Sequence, residues 1–124
     1  MHPGFYNIAD LKINAMLGLY EVPVIAYLIK IAGMNILYTS RSEHLIFEEE
    51  KVDAMILPLA GRYLERGAPI YDLVRNFRPK RIFAINWNEQ EIDIFIKNIL
   101  EIAPYAEIIP LKPYASYRVA LGYP

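Results

Sequence analysis

The sequence predicts an α/β chain built on one mixed sheet, an antiparallel meander followed by β-α-β-α-β. Three observations carry this expectation. Up to about Thr39 the chain alternates with period two or is rich in β-branched residues, the mark of strands. From Val52 onward, short apolar runs alternate with segments whose apolar residues recur at helical spacing. Prolines and capping residues stand where those segments have to stop.

In the first half, Phe5-Tyr6-Asn7-Ile8-Ala9 is followed by the turn-like Asp10, and Leu11-Lys12-Ile13-Asn14-Ala15 alternates. Val22 to Ile31 is a longer strand rich in β-branched residues. Ala32-Gly33 makes a tight turn into Met34-Asn35-Ile36-Leu37-Tyr38-Thr39. The segment Ser40 to Lys51 has two readings. Ser42 caps a short helix carrying Leu45 and Ile46, or His44 to Phe47 is extended.

In the second half, Val52-Asp53-Ala54-Met55-Ile56-Leu57-Pro58 is nearly continuous in apolar residues, as a buried parallel strand requires. Pro69 suits the first turn of a helix whose face carries Ile70, Leu73, Val74 and Phe77, and Pro79 stops it. Arg81-Ile82-Phe83-Ala84-Ile85 is the next strand. Asn88 caps a second helix, with Glu91 in capping-box position and an apolar stripe of Ile92, Phe95, Ile96, Ile99 and Ala103. Pro104 ends it, and Glu107-Ile108-Ile109-Pro110-Leu111 is the last strand.

The 124 residues form a single domain, 1–124, in which 112–124 is a tail or a final strand. With 55% hydrophobic and 22% charged residues, the chain is not a disordered one. A net charge of -1 argues against a generally basic nucleic-acid binder. The absence of cysteine excludes disulfides, thiol nucleophiles and Cys-based metal sites. The longest apolar stretch, Val22 to Met34, is interrupted by Pro23 and Lys30 and is too short to span a bilayer. No signal peptide is visible at Met1-His2-Pro3-Gly4, so a cytoplasmic protein is expected. Eighteen isoleucines fit a thermophilic source, although an AT-rich genome would enrich Ile, Tyr and Asn as well.

Right-handed crossovers place both helices on one face of the sheet. The other face then needs a cover, because Val22 to Ile31 is apolar on both sides: Val24, Ala26 and Leu28 on one, Ile25, Tyr27, Ile29 and Ile31 on the other. Two copies stacked sheet to sheet would form a four-layer αββα sandwich, each chain supplying half. The alternative cover is the tail Lys112 to Pro124, with Tyr114, Tyr117, Leu121 and Tyr123. Stacking as a homodimer is the favoured reading, because a soluble monomer seldom exposes so large an apolar patch.

The order of "ILYTSRSEH" (Ile36 to His44), "VDAMILPLAG" (Val52 to Gly61) and "FRPKRIFAINWN" (Phe77 to Asn88) resembles the C-terminal half of the metallo-β-lactamase superfamily. It looks most like metal-dependent hydrolases whose second half reads strand-Gly-Asp-Thr, then Val-Asp-hydrophobic-Pro, then Pro-Lys-hydrophobic-Pro-x-His-Tyr. The resemblance runs from about Asp10 to Leu111 and implies one half of an αββα sandwich. It also implies a lost metal centre. The His-x-His-x-Asp-His cluster of the first half is absent, the bridging Asp of the Gly-Asp turn corresponds to Arg41, and the late metal-binding His corresponds to Asn86. The histidine expected after the second strand has no counterpart near Met16 to Leu19. No metal, cofactor or catalytic residue is expected, and the chain is read as a non-catalytic half with a structural, interaction or ligand-binding role. The alternatives are an enzyme with a repurposed site at Arg41, His44, Asn86 and Trp87, and a subunit or remnant of a metal-dependent hydrolase whose site is completed by another chain.

The candidate site is accordingly a remnant ligand-binding pocket of Arg41, His44, Asn86 and Trp87. Each has a plainer reading. Arg41 pairs with Glu43 or Asp53 in the vacated metal position; His44 lies at the surface or a helix end; Trp87 packs at a strand end. Arg62, Arg66, Arg75, Arg78, Lys80 and Arg81 are the one basic concentration, read as a solvated helix end rather than a nucleic-acid contact. The run Glu48-Glu49-Glu50 is read as a solvated turn. The partner is a second copy of the chain, or a different chain that supplies the other half and its ligands. A membrane partner is not expected.

Overall fold

The computed structural model describes residues 4–8, 11–19, 23–39, 44–45 and 51–112, with side chains for 26–39 and 51–112. β1 (Gly4–Ile8), β2 (Leu11–Leu19), β3 (Pro23–Ile31) and β4 (Met34–Tyr38) form the expected antiparallel meander. The β3–β4 hairpin closes on the pair Ile31 and Met34, leaving Ala32 and Gly33 as a two-residue loop. Both have positive φ, 48° and 77°, the backbone that matches the twist of the flanking strands.

β5 (His44–Leu45) is extended and pairs antiparallel with the end of β2, Leu19 opposite His44 and Gly18 opposite Leu45. Of the two readings of this segment the extended one holds at these residues, because ladder bonds to β2 occupy the backbone that a helix through Leu45 would need. Ser42, the acidic run 48–50 and the tail 113–124 lie outside the described residues.

β6 (Ala54–Pro58) then pairs parallel with β4, β7 (Arg81–Ile85) with β6, and β8 (Glu107–Pro110) with β7. The sheet order is β1-β2-β3-β4-β6-β7-β8, with β5 on β2. Asp53 ties the starts of three strands. Its carboxylate accepts from the Asn35 N–H at 2.8 Å, its own N–H donates to the Asn35 carbonyl at 2.8 Å, and its carbonyl accepts from the Arg81 N–H at 3.1 Å.

α1 (Pro69–Phe77) joins β6 to β7, and α2 (Glu89–Ile102) joins β7 to β8. Pro69 opens α1, where a missing N–H costs nothing. Arg78, at φ 47°, ends it in the left-handed conformation, with its N–H on the Val74 carbonyl. Pro79 follows and cannot continue the helix. Asn88 caps α2, its side chain accepting from the Glu91 N–H at 2.8 Å.

Both helices cover one face of the sheet. Leu28, Leu37, Met55, Leu57, Ile82 and Ala84 point into a single core with Ile70, Leu73, Val74 and Phe77 of α1 and Ile92, Phe95 and Ile99 of α2. Because neighbours along a strand alternate faces, the register also lines up the opposite side. Tyr27, Tyr38, Ile56, Phe83 and Ile109 form one row across β3, β4, β6, β7 and β8. Ile29, Ile36, Ala54, Arg81 and Glu107 form the next. Tyr27 and Tyr38 stack there with ring centroids 6.3 Å apart and planes 8° from parallel. Among the described residues no helix lies on this face. Ile29, Ile36, Tyr38, Ile56, Phe83 and Ile109 are half-buried on it, whereas Leu28, Leu37, Met55 and Ile82 on the helix side are buried. No described helix is long and apolar enough to cross a membrane.

Candidate functional site

β4, β6, β7 and β8 are parallel, so their carboxyl ends share one edge of the sheet, the edge at which open α/β sheets bind ligands. Backbone bonds continue past the strand ends. The Thr39 N–H donates to the Ile56 carbonyl at 3.3 Å, that of Leu59 to Ile85 at 2.9 Å, and that of Leu111 to Ala84 at 2.9 Å. Thr39, Leu59, Asn86 and Leu111 therefore build this edge.

Asn86 sits immediately after β7 at φ 53°, exposed. Asparagine is one of the few side chains that tolerates this left-handed conformation, so the sequence can turn here without glycine. Trp87 follows. Its ring packs half-buried against the core and its Nε1–H donates to the Leu111 carbonyl at 3.0 Å. The indole thus spends its one polar group on joining the ends of β7 and β8, which is the geometry of packing at a strand end. Arg41 lies outside the described residues, two positions beyond Thr39. The backbone of His44 belongs to β5, which pairs with β2 and lies beside α1. Only Asn86 and Trp87 of the four candidates are brought together among the described residues.

The basic concentration is largely neutralised in place. Arg75 bonds Asp72 at 3.0 Å, Arg81 bonds Glu107 at 3.2 Å, Lys80 lies 3.8 Å from Asp53, and Arg66 pairs with Glu101. Arg62 departs from the expected solvated face: it is buried, in the turn that follows β6.

Sequence reasoning missed a polar cluster inside the helix layer. Tyr71 on α1 donates its hydroxyl to the Leu64 carbonyl at 2.6 Å. Asn98 on α2 donates from Nδ2 to the same carbonyl at 2.9 Å and to the Tyr71 hydroxyl at 3.1 Å. The Tyr71 ring also stacks on Phe95, centroids 6.1 Å apart. Burial pushes the Tyr71 phenol above its ordinary value of 10.0; the Asn98 bond opposes this shift and the Glu65 charge adds to it. The available signal was Asn98 itself, an amide between Phe95 and Ile99 on the apolar stripe of a helix. Every member of the cluster is hydrogen-bonded, and together they tie Leu64, in the loop that leaves the carboxyl end of β6, to both helices.

A metal centre needs several convergent nitrogen or oxygen ligands. Among the described residues no three of His, Cys, Asp or Glu lie close enough to hold an ion.

Two helices on one face of a mixed sheet, with no described helix on the other, describe part of a layered sandwich. Comparison with solved structures defines the sandwich as the metallo-β-lactamase fold. The chain is similar to a Thermotoga maritima protein assigned as a Zn-dependent hydrolase of that superfamily (14% identity, 89% of this chain and 69% of that chain, TM-score 0.61). It is similar to the metallo-β-lactamase fold protein YhfI from Bacillus subtilis (10% identity, 90% and 52%, TM-score 0.65). A third likeness is to a protein from Parabacteroides distasonis assigned as a metal-dependent hydrolase (13% identity, 86% and 54%, TM-score 0.62). Most of this chain matches, but it spans only about half the length of the last two structures. No family model matches the sequence, and no curated protein matches it.

Proposed function

We propose that the chain is a non-catalytic, degenerate C-terminal half of a metallo-β-lactamase-like fold that homodimerises through its helix-free sheet face, with a structural, interaction or ligand-binding role. The observation that carries the reading is that face. Ile29, Ile31, Ile36, Tyr38, Ile56, Phe83 and Ile109 stand on it half-buried. The only charged groups described on it, Arg81 and Glu107, are already bonded to each other. An apolar sheet face of this extent is stable in water when a second layer covers it. The degeneracy is supported by Asn86, exposed at the end of β7 where the resemblance expects a metal-binding histidine. Arg41, His44, Asn86 and Trp87 are the remnant-pocket candidates, with Asn86 and Trp87 at the carboxyl edge. A cytoplasmic setting and a thermophilic source complete the proposal.

The test is solution mass by light scattering on a sizing column. The expected result is twice 14.3 kDa for the native chain, and a monomer for Ile29→Glu and Ile56→Glu. Both positions face away from the helix layer, so near-unchanged far-UV circular dichroism shows that the variants still fold. A native monomer, or a dimer indifferent to both substitutions, overturns the interface. Stoichiometric zinc, manganese or iron in protein purified without chelator overturns the degeneracy.

A second reading is favoured by one finding, the greater length of the matched structures. In it the chain is a subunit, or a remnant, of a metal-dependent hydrolase whose site is completed by another chain. It requires a native monomer that co-purifies with a chain carrying a His-x-His-x-Asp-His cluster and gains metal-dependent hydrolysis on mixing.

A further inference from the structure

We draw no further inference here: the strongest candidate, the apolar row on the helix-free sheet face from Tyr27 and Tyr38 through Ile56 and Phe83 to Ile109, belongs to the surface on which the proposed function already rests, and nothing in the structure shows which molecule covers it.

Discussion

Asn98 and Tyr71 are bonded to each other, at 3.1 Å, and each also bonds the carbonyl of Leu64. One backbone oxygen in a loop is thereby held from both helices at once. The carbonyl uses both lone pairs, and the tyrosine acts as donor and acceptor together, so the buried cluster is satisfied without solvent. Its residues come from three separate stretches of chain, and it closes only when the 59–68 loop, α1 and α2 are all in place.

Replacing either partner should therefore destabilise the fold through the group left behind. Asn98→Ala and Tyr71→Phe are each expected to cost about 1–3 kcal/mol. In urea unfolding the double variant should cost less than the sum of the singles, because the two share an acceptor. Strict additivity would show that the bonds act independently.

The same cluster sets a pH dependence. Tyr71 has its phenol pKa raised on folding, so the folded state favours the neutral, protonated form. Its contribution to stability is complete below the unfolded value of 10.0 and is lost as pH rises through the folded value. Native and Tyr71→Phe proteins should differ by a constant amount near neutral pH, and the difference should shrink above about pH 10. A difference that stays level through alkaline titration would show that burial does not hold this proton.

The β3–β4 turn carries strain that substitution can relieve. Ala32 holds φ at 48°, a conformation that costs an alanine about 1–2 kcal/mol. Asn-Gly is the favoured pair for such a turn. Ala32→Asn is expected to raise the thermal unfolding temperature, whereas Gly33→Ala should lower it even though a Cβ there would meet nothing within 4 Å. Calorimetry on the two variants reads the opposite signs.

At the start of α2, the Asn88 side chain is the acceptor for the Glu91 N–H at 2.8 Å. Asn88→Ala should cost about 1 kcal/mol of stability, and Asn88→Ser should recover most of it, because serine supplies the same acceptor. Equal losses for both, measured in urea, would place the value of Asn88 elsewhere than in the cap.

Trp87 is the single tryptophan, so fluorescence reports on the carboxyl edge without labelling. Its half-buried ring should emit further to the blue in the folded protein than in urea. Trp87→Phe loses the bond to the Leu111 carbonyl and should cost about 0.5–1.5 kcal/mol. Inorganic phosphate added to native protein tests the remnant pocket: a saturable change in Trp87 emission supports it, and an unchanged spectrum up to millimolar phosphate counts against a role for Trp87 in anion binding.

The elements of the fold were legible because their signals are local. Pro69 and Pro79 bracket α1, Asn88 and Pro104 bracket α2, and the alternation through Tyr27, Leu28 and Ile29 announced a strand with two apolar faces. Capping, proline sterics and side-chain period act over a few residues, and a linear reading captures them. The short β5 was ambiguous for the same reason. Its two residues are decided by pairing with Gly18 and Leu19, far away in sequence.

What required tertiary structure was everything that depends on convergence. The sequence does not say that the backbone of His44 pairs with the end of β2, or that the indole of Trp87 donates to the Leu111 carbonyl. Arg62 counted as one more surface cation until folding buried it, and Asn98 was one more helix residue until Tyr71 and Leu64 met it. Local chemistry thus determined which strands and helices the described residues make, and crossover handedness put both helices on one face of the sheet. Which polar groups would face one another was decided only by packing. Hydrogen-bond partners are matched across distances in sequence that no short-range pattern encodes.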